Sequence, residues 1–271
     1  MTLSAYIEGV GLLGPGFPDW PGGRAILGGL RAYEAHRTAL PAPALLPAAE
    51  RRRCGAIVKL TLATGLEAVA AAGLAAADLA SVFSSSGGDG ESCHVICAML
   101  ASSDRQISPT RFHNSVHNVA AGYWSIATGA MASSSVLSAY DASFGAGLLE
   151  ALTQVTVDDA RCLLLACDTV YPEPLFSARP IPDCFGIALV LSPSRSARTL
   201  AQITVSLIDA NADADADRLD AAALESLRTT IPAARGLPLL RAIALGQDRR
   251  VVLDYLDGTR LAVAIAPIAP C

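Results

Sequence analysis

The sequence predicts a layered α/β fold, in which helices pack on the faces of a sheet. Segments with apolar residues at helical spacing alternate with short apolar runs that are typical of strands. Two of these runs, residues 160–168 and 184–192, are apolar at nearly every position. Such runs are typical of strands buried on both faces of a sheet, so they predict its centre.

The predicted strands are apolar runs that end at turn residues. Residues 5–13 run into Gly14-Pro15-Gly16, and Asp257-Gly258 suits the tight turn of a C-terminal hairpin. The predicted strands, in chain order, are residues 5–13, 78–83, 133–140, 160–168, 184–192, 200–208, 249–256 and 260–265.

The predicted helices have apolar residues three or four positions apart, as at Ile57, Leu60, Ala63 and Leu66. They are residues 20–30, 51–72, 92–102, 118–128, 144–157 and 219–230. Loops or turns rich in Gly, Pro, Ser, Ala or Asp are predicted at residues 38–49, 84–90, 108–110 and 211–217.

Composition excludes several classes of protein. The chain has 271 residues, of which 52% are hydrophobic and 17% are charged, which excludes a disordered chain. That length buries a sizeable core without disulfides or metals. A formal net charge of −5 argues against nucleic acid or a membrane surface as the partner.

The cysteines predict no disulfide framework and no metal site. There are seven of them, and the chain opens without a basic leader and with Glu8 early, so we expect a reduced, cytoplasmic protein. Cys93 and Cys97 stand four residues apart with His94 between them. We expect two small buried thiols on one helix face rather than metal ligands, and no cofactor.

Residues 112–140 contain no charged side chain. The stretch is long enough to span a membrane, but it includes Asn114, Asn118 and a run of three serines, which are costly in lipid. We therefore expect it to be buried inside protein on every side.

Residues 108–124, Ser-Pro-Thr-Arg-Phe-His-Asn-Ser-Val-His-Asn-Val-Ala-Ala-Gly-Tyr-Trp, resemble a segment of the β-ketoacyl synthase family that leads into a central buried helix. Residues 7–16 resemble the first strand and turn of that family. Residues 84–90 resemble its Gly-rich loop, and residues 184–191 resemble a strand late in its N-terminal half.

This resemblance covers roughly residues 3–200 and implies a thiolase-like αβα fold. It implies a complete N-terminal half in residues 1–199. Residues 200–271 would then be a truncated remnant of the C-terminal half, made of a strand, a helix and a hairpin.

The resemblance also implies which residues should carry the chemistry. Condensing enzymes place a cysteine at a strand-to-helix turn, where the helix N-terminus favours the thiolate. The corresponding turn here has no cysteine, and Asp141 matches the nucleophile position, with Ser143 close by. The catalytic histidines of the family follow the nucleophile, whereas no histidine here follows His117. The resemblance therefore implies a chain that does not catalyse condensation alone.

Within the family, the sequence resembles the short chain-length-factor type of subunit found in aryl polyene biosynthesis. That implies a heterodimer with a full-length β-ketoacyl synthase, which the subunit would stabilise and whose acyl tunnel it would shape. Acyl carrier protein would dock mainly on the ketosynthase. The candidates for the tunnel or the interface are Phe112, His113, Tyr140, Asp141 and Phe144.

Alternatives to this interpretation stay open. The aromatic candidates are equally consistent with ordinary core residues. The chain is also consistent with an active acyl transferase or hydrolase that uses Ser143 or a cysteine, or with a homodimeric scaffold. Arg51-Arg52-Arg53 is read as a solvated helix face rather than as a docking site for an acidic carrier protein.

Overall fold

The computed structural model of the chain describes residues 2–210 and 215–268, so residues 211–214 of the predicted acidic loop lie outside the described residues. The described residues contain eight strands. They are β1 (Thr2–Leu13), β2 (Ala80–Ser84), β3 (Ser134–Leu137), β4 (Cys162–Asp168), β5 (Phe185–Ser192), β6 (Ala201–Asp209), β7 (Arg249–Asp254) and β8 (Thr259–Pro267).

The helices alternate with these strands. They are α1 (Trp20–Leu27), α2 (Ala48–Arg53), α3 (Ala56–Ala72), α4 (Gly90–Ala101), α5 (Pro109–Asn114), α6 (Val119–Thr128), α7 (Ser143–Asp158), α8 (Leu175–Ala178), α9 (Ala222–Thr230) and α10 (Leu237–Leu245). Short 3₁₀ turns occupy Ala76–Asp78, Tyr140–Ala142 and Pro232–Gly236.

All eight strands form one mixed sheet in the order β3-β2-β4-β5-β1-β6-β8-β7. β2 pairs in parallel with β3 and β4, and the other pairs are antiparallel. β4 and β5 are buried at every position, as their continuous apolar runs predict.

Helices cover both faces of the sheet, which confirms the predicted layered α/β fold. α1, α7, α9 and α10 contribute to the apolar core on one face, and α3 and α6 contribute to the core on the other. Two glycines of β1 let α3 approach closely. A Cβ on Gly9 would lie 2.1 Å from the carbonyl oxygen of Ala68, and one on Gly11 would lie 1.9 Å from that of Thr64.

The last third of the chain shares this core. β6 pairs with β1, β8 pairs with β6, and β7 forms the far edge of the sheet. Side chains of α9 and α10 belong to the same apolar cluster as those of α7. A division of the chain at residue 199 remains a prediction.

Several local predictions differ from the structure. The C-terminal tail, predicted with one helix, contains two, α9 and α10. The helix predicted at residues 51–72 is broken at Cys54-Gly55, where the Asp89 carboxylate lies against Gly55 and the backbone is extended. The turn predicted at residues 108–110 begins α5, because Pro109 suits the first helical position. Cys93 and Cys97 are exposed rather than buried, because α4 lies on the surface against α5.

Searches for membrane and metal features cover the same described residues. No helix among them is long and apolar enough to cross a membrane. No cluster of three or more His, Cys, Asp and Glu side chains suited to a metal ion occurs in residues 2–210 or 215–268.

An ion pair between a buried carboxylate and a half-buried arginine joins β1 to the turn before β4. Glu8 is buried, and its carboxylate accepts hydrogen bonds from Arg161 Nε at 2.7 Å and Nη2 at 3.3 Å. Burial by itself raises the pKa of Glu8, but the hydrogen bonds from Arg161 and Ser196 and the charge of Arg161 outweigh it. The pKa of Glu8 is therefore below its ordinary value.

We expect Glu8→Gln to lower the free energy of unfolding by about 1–3 kcal/mol at pH 7, because a charged hydrogen-bonded pair is lost. Since the folded state lowers the Glu8 pKa, the carboxylate makes its full contribution to stability at pH values above the ordinary glutamate pKa of about 4.3. It disappears as the pH falls through the folded-state pKa. Urea unfolding at pH 7 and near pH 3.5 measures the difference, which should shrink at the lower pH. Glu34→Gln, at an exposed carboxylate, is the control, and a gap independent of pH would contradict the assignment.

Candidate functional site

The candidate site is the turn that leads from β3 into α7. Tyr140 lies in this turn with φ of +53°, and among the described residues only Asp159 is another non-glycine with positive φ. A strained residue at a strand-to-helix turn is the arrangement that presents a reactive side chain in α/β-hydrolases. Here the presented group is a phenol ring, 62% exposed.

Ser143 stabilises the turn from within. Its Oγ accepts a hydrogen bond from the backbone N–H of Ala139 at 3.1 Å and donates one to the carbonyl of Tyr140 at 2.7 Å. Ser84 Oγ in turn donates to the Ser143 carbonyl at 2.5 Å. The hydroxyl of Ser143 is therefore buried and engaged by the backbone of its own turn.

Asp141, the next residue, is held by two arginines. One carboxylate oxygen accepts a hydrogen bond from Arg179 Nη2, and the other lies 3.2 Å from Arg235 Nη2. Both guanidinium groups are largely buried, whereas the carboxylate is partly exposed. Burial lowers the pKa of Arg179, but the hydrogen bond to Asp141 and the charge interactions with Tyr171, Asp141 and Tyr140 together outweigh this effect, so its pKa lies above the ordinary value.

Arg179 also connects the turn to a polar network beneath it. Its Nη1 donates to the Tyr171 hydroxyl at 2.8 Å, which lies 2.9 Å from Ser86 Oγ. Ser86 donates to the Asp168 carboxylate from both its hydroxyl and its backbone N–H, at 2.6 and 2.7 Å.

The network ends at Asp168, the last residue of β4. It is fully buried, and its second oxygen accepts the backbone N–H of Ala233 at 2.8 Å. Burial raises its pKa, which the hydrogen bonds from Ser86 and Ala233 oppose. The loop at residues 84–90 thus makes internal contacts to this carboxylate.

The five residues predicted for the tunnel or the interface fall into three places. Tyr140 and Asp141 share the turn. Phe112 and His113 are exposed on α5, where the His113 ring packs edge-on against Tyr123 at 6.2 Å. Phe144 is only 1% exposed and packs in the core of this chain under Gly236, so it does not belong to the surface of the isolated chain.

The uncharged stretch is partly exposed in this chain, so the chain alone does not bury it on every side. The rest of the expected burial would need a partner subunit and stays a prediction. β3 is an edge strand, paired with β2 on one side only. Apolar side chains of the same stretch are exposed, with Met131 93% accessible. We call this the uncharged edge surface, and its exposed apolar residues are Phe112, Val116, Ile126, Met131 and Tyr140.

Sequence reasoning missed the residues that hold the turn. Arg179 and Arg235 stand far along the chain from Asp141, whereas Asp168 ends β4 and Tyr171 follows it. No spacing in the sequence connects these residues. Position along the chain was a partial signal for two of the residues, since Asp168 ends a buried strand and Ser86 follows another.

A separate cavity of about 1000 Å³ opens beside the end of β1 and beneath residues 31–41. Leu12 and Phe17 line its apolar part. Glu67 also lines the cavity, and its side-chain oxygens accept hydrogen bonds from the backbone N–H groups of Leu12 and Trp20. Arginines and acidic side chains both line this cavity, so it favours no charge class of ligand.

Comparison with known proteins identifies the family. The profile of the beta-ketoacyl synthase N-terminal domain matches residues 30–242, which is most of the chain. No curated protein matches the sequence.

Three solved structures share the fold at low sequence identity. The complex of the ketosynthase ApeO with its chain length factor ApeC from Xenorhabdus doucetiae matches with a TM-score of 0.74 and 22% identity, over 97% of this chain and 99% of that one. The ishigamide ketosynthase/chain length factor matches with a TM-score of 0.71 and 13% identity, over 98% and 100%. A beta-ketoacyl synthase from Burkholderia phymatum STM815 matches with a TM-score of 0.67 and 14% identity, over 99% and 100%.

These matches confirm the thiolase-like layered fold that the sequence motifs implied. Since the family profile spans the turn, its two flanking elements and the loop that carries Arg179, the chain belongs to the beta-ketoacyl synthase family, through the N-terminal domain of that family.

Proposed function

We propose that the chain is a non-catalytic, chain-length-factor-like partner of an active β-ketoacyl synthase in aryl polyene biosynthesis, which is fatty-acid and polyketide-type chemistry. The subunit stabilises the ketosynthase and shapes its acyl tunnel. The observation that carries the proposal is the turn before α7, where a phenol occupies the strained position and the neighbouring carboxylate is paired with two arginines.

The strained φ favours Tyr140, rather than Asp141, as the residue at the nucleophile position. Neither side chain is a good acyl acceptor in comparison with a thiolate. The Ser143 hydroxyl is engaged by its own turn. Burial raises the pKa of both Cys162 and Cys167 to about 12, so these thiols are protonated at neutral pH.

The uncharged edge surface supports a partner subunit. An exposed edge strand has unpaired backbone groups, and the exposed apolar residues of the same uncharged stretch gain free energy when they are buried. A partner ketosynthase would bury both. Two of the similar structures are described as a ketosynthase with a chain length factor, which supports this choice of partner.

The proposed mechanism is steric. Tyr140 and Phe112 would form part of the wall at the far end of the partner's tunnel, and elongation would stop when the acyl chain meets it. Acyl carrier protein would dock mainly on the ketosynthase, and the complex would work in the cytoplasm.

Co-expression with a full-length β-ketoacyl synthase as the candidate partner tests this function. We expect the two chains to co-purify in equal amounts, and we expect polyene synthesis to require both. Intact mass of the pure chain after incubation with acyl donors should show no covalent adduct. A stable acyl adduct would instead support the acyl transferase or hydrolase alternative, and a chain that is soluble alone and never co-purifies would support the homodimeric scaffold.

A further inference from the structure

Tyr140 has few restraints of its own. Its backbone has the positive φ that L-residues rarely adopt, and its ring is mostly exposed. An exposed aromatic side chain in a turn would ordinarily sample several rotamers. Something else must therefore hold the ring if it is to form a wall of defined position.

Arg179 makes that contact. Its guanidinium carbon lies 3.8 Å from the centroid of the Tyr140 ring, within the range of a cation–π interaction. A planar guanidinium covers a ring face and still donates hydrogen bonds in its own plane, which an ammonium group does not do. Arg179 uses those donors for Asp141 and for the Tyr171 hydroxyl.

The Arg179 side chain is itself fixed from two sides. Asp141 is shared with Arg235, which comes from the 3₁₀ turn Pro232–Gly236. Tyr171 is buried and hydrogen-bonded to Ser86, which binds the buried Asp168. The guanidinium group is thus hydrogen-bonded to two separate segments of the fold, at Asp141 and at Tyr171. Among the side chains named in this cluster, the Tyr140 ring is the one that is both mainly apolar and mostly exposed.

We propose that Arg179 is a positioning residue for Tyr140, and that through the ring it determines the length of the acyl chain that the heterodimer releases. This inference rests on the proposed function. Arg179 does not itself meet the acyl chain in this arrangement. It acts by holding the ring in one orientation, so its effect depends on the presence of the ring.

A double-mutant cycle tests this dependence. The chain carrying Arg179→Met, Tyr140→Ala or both substitutions is co-expressed with the partner ketosynthase, and product lengths are measured by mass spectrometry. We expect Arg179→Met to broaden the products toward longer chains by at least one elongation step. In the Tyr140→Ala background it should add no further change, because the ring is already absent. Arg179→Lys keeps the charge beside Asp141 but not the planar stacking, so it should resemble Arg179→Met in product length.

Arg241→Met is the matched control, because Arg241 pairs with Asp220 outside the turn. It should leave the product lengths unchanged. An equal shift in product length from Arg179→Met with and without the Tyr140 ring would overturn the role of Arg179. So would unchanged product length in Arg179→Met when Tyr140→Ala changes it. Either result would leave the tunnel function intact. Failure of the unmodified chains to co-purify, or unchanged products from Tyr140→Ala, would instead overturn the tunnel function on which the inference rests.

Discussion

The double substitution Ile126→Asp and Met131→Asp is expected to abolish co-purification with the partner ketosynthase while the subunit stays folded. Both side chains are exposed on the uncharged edge surface, so neither supports the core of the isolated chain. In a heterodimer that buries this surface, two carboxylates without partners would be desolvated, which costs several kcal/mol. We expect affinity to fall by at least about a hundredfold, or about 2.7 kcal/mol.

Pull-down of the tagged subunit and the melting temperature of the isolated variant measure the two parts of this prediction. Leu30→Asp with Val157→Asp is the matched control, because these apolar residues are also highly exposed but lie outside residues 112–140. The control should bind normally. Equal binding by both double variants would show that the uncharged edge surface is not the interface.

Phe144→Ala is expected to destabilise the fold by about 3–5 kcal/mol, the usual cost of removing a buried phenyl ring. The ring fills the space under Gly236, where a Cβ would come within 2.4 Å of it, and it belongs to the main apolar cluster. Since small proteins are stable by only about 5–15 kcal/mol, this is a large share of the total. Urea unfolding of the isolated chain measures the loss.

Tyr140→Gly is the matched comparison from the same turn. Glycine accepts the positive φ at residue 140 without strain, so stability should change by less than about 1 kcal/mol. If Tyr140 forms a tunnel wall, this variant changes product length, whereas Phe144→Ala acts through stability. If Phe144→Ala were stable and gave products of altered length, Phe144 would have to be assigned to the tunnel wall, contrary to its position in the core.

Elements with a strong local signal were predicted well. The continuous apolar runs of β4 and β5 place them correctly at the centre of the sheet, because two buried faces require apolar residues at every position. The Asp257-Gly258 turn joins β7 and β8 as expected. The break at Gly55 was missed, because the Asp89 carboxylate that lies against it comes from another element.

The candidate site was predicted only in part. Family motifs indicated the turn and its missing cysteine, and they matched Asp141 to the nucleophile position to within one or two residues. The positive φ of Tyr140 is the reason that we propose Tyr140 for that position. Periodicity does not tell a core phenylalanine from an interface phenylalanine, since both follow the same apolar pattern. Phe112 and Phe144 therefore looked alike in the sequence and proved to differ completely in exposure.

The sequence by itself determined the layered fold, the family and the absence of a cysteine from the turn before α7. These follow from local patterns and from the identity of single residues. Only the tertiary structure decided that Arg179 and Arg235 meet Asp141, that Tyr140 points outward and that Phe144 points inward. The physical reason is that the contacts join segments distant in the chain, and their geometry depends on how the sheet brings β3, β4 and the 3₁₀ turn after α9 together.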